Sequence, residues 1–231
     1  MNADGTRLDP ALARLLSRGD IWRGQGGEAG REGEPTGFPA LDVRLPAGGW
    51  PRGALTELLP ERAGIGELRL LMPTLARLSR GARWVAWIDP PHVPYAAGLY
   101  AGGVDLAHML VVHPRDGRER LWALEQALGS GTCAAVLGWP GRLDATAARR
   151  LQLAAERGGS LGFLFREPAA RDTPAHTALR LALAPERGGL TVEALKQRGG
   201  RPGARLHLPA MELFDGGRHD SANPALPAGT G

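Results

Sequence analysis

The residues that come nearest to a recognisable chemistry lie between positions 59 and 67, Leu-Pro-Glu-Arg-Ala-Gly-Ile-Gly-Glu. A strand-forming run, 55–59, leads into them and an amphipathic stretch follows. That is the placement of a phosphate-binding loop, where backbone amides at a helix N-terminus hold phosphates while a Lys and a Ser or Thr engage phosphate and magnesium. Pro60, Gly64 and Gly66 keep the outline of such a loop, but it contains neither Lys nor a hydroxyl, and Glu67 would stand beside the phosphates. Charge-assisted contacts are worth about 1.5–3 kcal/mol each, so their loss weakens a triphosphate by orders of magnitude. The segment is expected to be a structural turn, with no cofactor. Other chemistries are thinner still. His92, His108 and His113 lack the spacing or the Cys partners of a zinc site, Cys133 sits in a buried-strand pattern where an inert thiol is the default, and no Ser, His and Asp set can be assembled. Trp22, Trp50, Trp84, Trp87 and Trp122 read as core or rim packing rather than a ligand cage.

The elements that would position this loop follow from periodicity. Apolar runs of strand length at 55–59, 84–88, 109–112, 133–137 and 161–165 alternate with helix-length stretches at 66–80, 93–101, 118–128 and 144–157. Gly158 and Gly159 serve as the last helix stop. This alternation predicts an α/β fold with a mainly parallel central sheet and crossover helices. The alternating segments 178–184, 190–196 and 205–208 add an antiparallel edge. Ahead of the core, residues 8–18 place Leu8, Ala11, Leu12, Leu15 and Leu16 at helical spacing after Asp9 and Pro10. A Gly-rich linker follows at 24–33, so residues 1–33 read as a short helical arm and linker, 34–209 as the core and 210–231 as a disordered tail.

Composition bounds the function classes. With 231 residues, 43% of them hydrophobic, the chain has material for one sizeable core, and no apolar run approaches the ~18 residues that span a bilayer. The start MNADGTRLDP lacks the basic and apolar regions of a secretory signal and the single Cys cannot form an internal disulfide, so a cytoplasmic location is expected. The net charge of +4 comes from 28 cationic residues of which only Lys196 is lysine, and the chain has four Phe and two Tyr on which bases could stack. Plain nucleic-acid binding is therefore weakly supported.

Residues 36–53, Thr-Gly-Phe-Pro-Ala-Leu-Asp-Val-Arg-Leu-Pro-Ala-Gly-Gly-Trp-Pro-Arg-Gly, resemble the segment before the phosphate loop of the RecA family, sharing Thr36, Gly37, Leu41, Asp42, Leu45, Gly48, Gly49, Pro51 and Gly53. Glu57 continues the match. The region from Trp87 to Leu106 looks like the second-strand region, with Ile88, Asp89, His92, Tyr95, Gly103, Val104 and Asp105 in corresponding places. The resemblance implies a RecA-like core whose general-base Glu falls on Pro91 and whose metal-orienting Asp falls on Trp139, hence a pseudo-ATPase rather than an enzyme. It also places Lys196 and Arg198 where one RecA protomer reaches the nucleotide of its neighbour, and the helical arm, with Leu12, Leu15, Leu16 and Trp22, where RecA docks on an adjacent protomer.

Within this superfamily the stretches 48–79, 84–99, 121–131, 149–166 and 193–200 most resemble ImuA, a SulA-related family encoded with translesion polymerases. That resemblance implies a DNA-damage accessory protein that binds RecA and a polymerase-like translesion factor, touches DNA at most weakly, and modulates RecA filaments. The alternatives are an SOS-type cell-division inhibitor, suggested by the SulA relationship, and a weak DNA-binding or ATPase module.

Overall fold

A computed structural model describes residues 33–173 and 176–215. The chain divides into two units, 1–30 and 31–231, and all the described residues belong to the second. The arm residues Leu12, Leu15, Leu16 and Trp22 and the tail from 216 lie outside the described residues.

Eight strands form one sheet in the order β3-β2-β4-β5-β1-β6-β7-β8. These are β1 (Ala54–Pro60), β2 (Trp84–Ile88), β3 (Met109–Val112), β4 (Cys133–Gly138), β5 (Leu161–Phe165), β6 (Leu179–Glu186), β7 (Gly189–Gln197) and β8 (Arg205–Pro209). Strands β1 to β5 pair in parallel, β6 joins β1 in parallel, and β7 and β8 close that side antiparallel. The expected parallel sheet with an antiparallel edge is what the chain builds, and each strand falls within two residues of its predicted bounds.

Parallel strands need covering on both faces, and two clusters supply it. Leu58, Trp87, Leu137, Phe163 and Leu181 point to one face, with Trp50, Phe38 and Leu75 packed on them. Leu55, Ile88, Val136 and Leu164 point to the other, under Leu124, Leu128 and Leu151. Among the described residues there are six helices: α1 (Pro39–Asp42), α2 (Met72–Ser79), α3 (Ala96–Ala101), α4 (Gly117–Gly129), α5 (Ala145–Gly158) and α6 (Ala210–Asp215). Helix α4 begins where the Asp116 carboxylate accepts from the Glu119 amide at 2.8 Å, and α5 where Asp144 accepts from Ala147 at 2.7 Å. Gly159, at φ 60°, ends α5 as expected.

Two helices start later than periodicity predicts, each just after or beside a proline. The stretch 66–80 forms a regular helix only from Met72, with Pro73 in its first turn, and residues 66–71 lead in through hydrogen-bonded turns such as Leu70 N–H to the Gly66 carbonyl. Pro94 disfavours helical geometry at Val93, and the stretch 93–101 becomes helical at Ala96, after an extended Tyr95. A third difference lies at the C-terminal side, where residues 210–215, expected to begin the tail, form α6 with Leu213 buried.

The residues that carry the RecA resemblance ahead of β1 do structural work. The Thr36 amide donates to the Asp42 carboxylate at 2.9 Å, and the Trp50 indole donates to the Thr74 hydroxyl at 3.0 Å while meeting Phe163 edge-on at 5.3 Å. Gly49 lies so close to the backbone that a Cβ would come within 2.3 Å of the Glu34 carbonyl oxygen.

One buried charge needs its partner inside this sheet. Glu57, in the middle of β1, accepts from Nε of Arg180 on β6 at 2.8 Å. The Arg180 guanidinium also donates to the carbonyls of Ala170, Arg171 and Thr173, tying the 3₁₀ turn Pro168–Asp172 to the sheet. Arg180→Met takes from Glu57 the nearer of its two guanidinium partners and leaves the carbonyls of Ala170, Arg171 and Thr173 without their donor, so it is expected to cost about 1–3 kcal/mol in urea denaturation. The double variant Glu57→Leu/Arg180→Met is expected not to recover that loss, because it leaves the buried Arg166 without its carboxylate.

Candidate functional site

Because β1, β2, β4 and β5 run in parallel, their carboxyl ends at Pro60, Ile88, Gly138 and Phe165 open on one side of the sheet, where α/β folds place ligands. The loops that follow them enclose a cavity of about 570 Å³. Pro60, Gly64, Glu67, Pro91 and Trp139, five of the positions singled out from sequence, all line it.

The loop after β1 has the backbone of an anion cradle. Gly64 and Gly66 take φ values of 81° and 107°, which only glycine adopts readily. The cradle is filled from within: Glu67 Oε1 accepts from the Gly64 amide at 2.8 Å and Oε2 from the Gly66 amide at 3.1 Å. The side chain that would repel a phosphate thus occupies the donors a phosphate would use.

The other two positions have changed in kind. Pro91 is exposed on the cavity rim, and Asp89 before it, at φ 56°, turns its carboxylate to Arg120 on α4. Trp139 follows directly on β4 and stacks between Trp87, 5.8 Å away, and Phe165, 4.5 Å away and nearly parallel to it. A three-ring stack therefore stands where a metal-orienting carboxylate was sought. Among the described residues no group of three His, Cys, Asp or Glu side chains is placed to hold a metal ion. His108 pairs instead with Asp105 at 2.9 Å, and Cys133 is buried.

Lys196 and Arg198 lie elsewhere. Lys196 is opposite Arg180 in the β6–β7 register and half-buried, while Arg198 is exposed, 3.8 Å from Glu156 on α5. Burial, then the neighbouring cations of Arg198 and Arg180, hold the Lys196 ammonium below its ordinary pKa, against the pull of Glu57.

Sequence reasoning missed Arg166. Strand alternation puts it on the face of Glu57, whose Oε1 lies 3.9 Å from Arg166 Nη1, and burial depresses the guanidinium pKa against the pull of that carboxylate. Its signal was a lone cation closing an apolar strand, Leu-Gly-Phe-Leu-Phe-Arg. Phe165 beside it carries no signal beyond that of a core strand residue.

Known proteins resemble the half of the chain that forms most of this site. A family model described as cell division inhibitor SulA matches residues 53–162. Cell division inhibitor SulA of Edwardsiella piscicida is 37% identical over 116 residues, covering 48% of this chain and 69% of that protein. The chain belongs to the SulA family. SulA of Photorhabdus laumondii is 34% identical over 98 residues, covering 42% of this chain and 55% of that protein. A crystal structure of SulA from Pseudomonas aeruginosa aligns with 28% identity and a TM-score of 0.42, covering 48% of this chain and 97% of that one. Protein RecA of Paenarthrobacter aurescens is 36% identical over 133 residues, covering 54% of this chain but only 37% of RecA.

SulA membership corrects the main functional expectation. The translesion accessory role, with RecA and a polymerase-like factor as partners, followed from a resemblance to ImuA. The family model and the Edwardsiella and Photorhabdus relatives are division inhibitors, which favours the alternative drawn from the SulA relationship. What holds of the ImuA resemblance is its coarser content, a SulA-related chain. No helix among the described residues is long and apolar enough to cross a membrane.

The depressed Lys196 pKa has a consequence for stability. Its charged form is disfavoured in the folded chain, so a penalty is present in full below the folded pKa and fades as pH rises to the ordinary value of 10.5. Lys196→Met is expected to raise the urea midpoint at neutral pH, and the difference from the unaltered chain is expected to narrow towards pH 10.5.

Proposed function

We propose that this chain is a cell-division inhibitor of the SulA type, made in response to DNA damage and acting by binding a division protein rather than by catalysis. The observation that carries the proposal is the 37% identity to the Edwardsiella inhibitor over 69% of that protein's length. The partner we infer is the tubulin homologue of the division ring.

The site geometry supports a binding role without turnover. The amides of the glycine loop are held by Glu67, Pro91 has no proton to exchange, and Trp139 fills its place with rings. The sheet order, with a glycine loop directly after β1, supports reading the core as a RecA-like scaffold retained after nucleotide chemistry was lost.

The contact surface is inferred from what the relatives share. The matched segment 53–162 runs from β1 into β5, and within it β3 is the strand at the outer edge of the sheet. Leu110 and Val111 on β3 are 45% and 38% exposed, with Trp84 and Leu106 exposed nearby. Edge strands are commonly guarded by charge, and Met109–Val112 carries none. An apolar, unguarded edge of this kind accepts an extended segment from a partner.

The test is GTP-driven assembly of the division tubulin homologue, followed by light scattering. The chain is expected to suppress assembly near stoichiometric ratio without added ATP. Leu110→Lys/Val111→Lys is expected to weaken suppression by about tenfold or more, as for loss of hot-spot side chains. Unchanged assembly at high excess, or suppression that requires ATP, would overturn the proposal.

A further inference from the structure

We propose that the cavity at the carboxyl ends of β1, β2, β4 and β5 binds a small molecule that carries a single carboxylate on a flat apolar body. This inference is independent of the division role and rests on the polar groups that the cavity leaves unmatched.

The Arg166 side chain, which lines the cavity, is only 9% exposed. Its nearest carboxylate, Glu57, is engaged at closer range by Arg180, so two guanidinium groups share one buried carboxylate. Inside the sheet one positive charge is left over, the further carboxylate that acts on Arg166 being the exposed Glu167 at the cavity wall, and a buried guanidinium short of hydrogen-bond partners calls for an anionic acceptor. Arg166 Nε has no hydrogen-bond partner among the described residues, and neither does the buried Nε1 of Trp87, which lines the same cavity. Both groups donate and cannot accept. A carboxylate is the complement of a guanidinium in charge and in shape.

The remaining wall selects the rest of the molecule. Leu68, Trp139 and Pro91 give it an apolar surface, and Val93 and Tyr95 stand at its rim, 85% and 78% exposed. A volume of about 570 Å³ falls in the ~300–1,000 Å³ range of small-molecule sites. Glu67 and Glu167 also line the cavity. With the Gly64 and Gly66 amides already taken by Glu67, the site disfavours a multiply charged phosphate chain and admits a single negative charge.

The experiment compares 2-naphthoate with its neutral analogue 2-naphthylmethanol, each titrated into the full chain by calorimetry while the Trp87 indole N–H resonance is followed by NMR. Naphthoate is expected to saturate at one molecule per chain, about tenfold tighter than the alcohol, and to shift the Trp87 resonance. Arg166→Met is expected to abolish the preference for the anion. Because that variant alters a buried ion cluster, Val93→Asp at the exposed rim provides a second check: it leaves the core untouched and is expected to weaken naphthoate more than the alcohol. Equal affinity for the two probes, no saturable binding, or naphthoate binding that leaves Trp87 unmoved and survives both substitutions would overturn the inference.

Discussion

The contact between Glu57 and Arg180 joins the parallel half of the sheet to its antiparallel half and, through the remaining guanidinium donors, fixes the turn after β5. A carboxylate at the centre of a strand buried on both faces is tolerated only when matched. The match comes from the start of β6, the chain's return across the sheet, so the position of β6, the path of residues 168–173 and the setting of Arg166 all depend on it. The apolar clusters on either face give the sheet its bulk, while this pair specifies which strand lies beside β1.

The cavity above the sheet meets most of its own polar groups from within. Its glycine loop keeps positive φ angles and converging amides, and the chain satisfies them with its own carboxylate three residues after Gly64. Beside it, the end of β4 is followed by an indole stacked between two other rings. Together they make a surface whose remaining unmet needs are a counter-charge and an apolar cover.

Much of this was legible in the sequence, because strands buried on both faces read as continuous apolar runs and their bounds are marked by Gly, Pro and Asp. The delayed starts of α2 and α3 were less so, since amphipathic spacing extends across residues 66–71 and 93–95, which form turns and extended chain ahead of the helices. The absence of Lys, Ser and Thr from residues 59–67 could be read from single positions. The role of Arg166 could not, because it depends on β1, β5 and β6 lying side by side, and Glu57 and Arg180 are 123 residues apart. The RecA resemblance leaned on residues such as Thr36, Asp42 and Gly49, which the structure shows holding the entry to β1 together. Those residues report a shared scaffold and say little about the partner.

The strand order also sets how the chain must come into being. β1 is made early, yet its neighbours are β5 and β6, so residue 54 waits for residue 161 and residue 56 for residue 179. No hairpin between adjacent strands can shelter it, since β1 to β5 have only parallel partners. Pairings this distant are slow to form, and an unfinished chain offers apolar strands to chaperones and proteases during that interval. The amount of active protein in a cell would then be governed by the time needed to finish synthesis and close the sheet, as well as by how often its message is read.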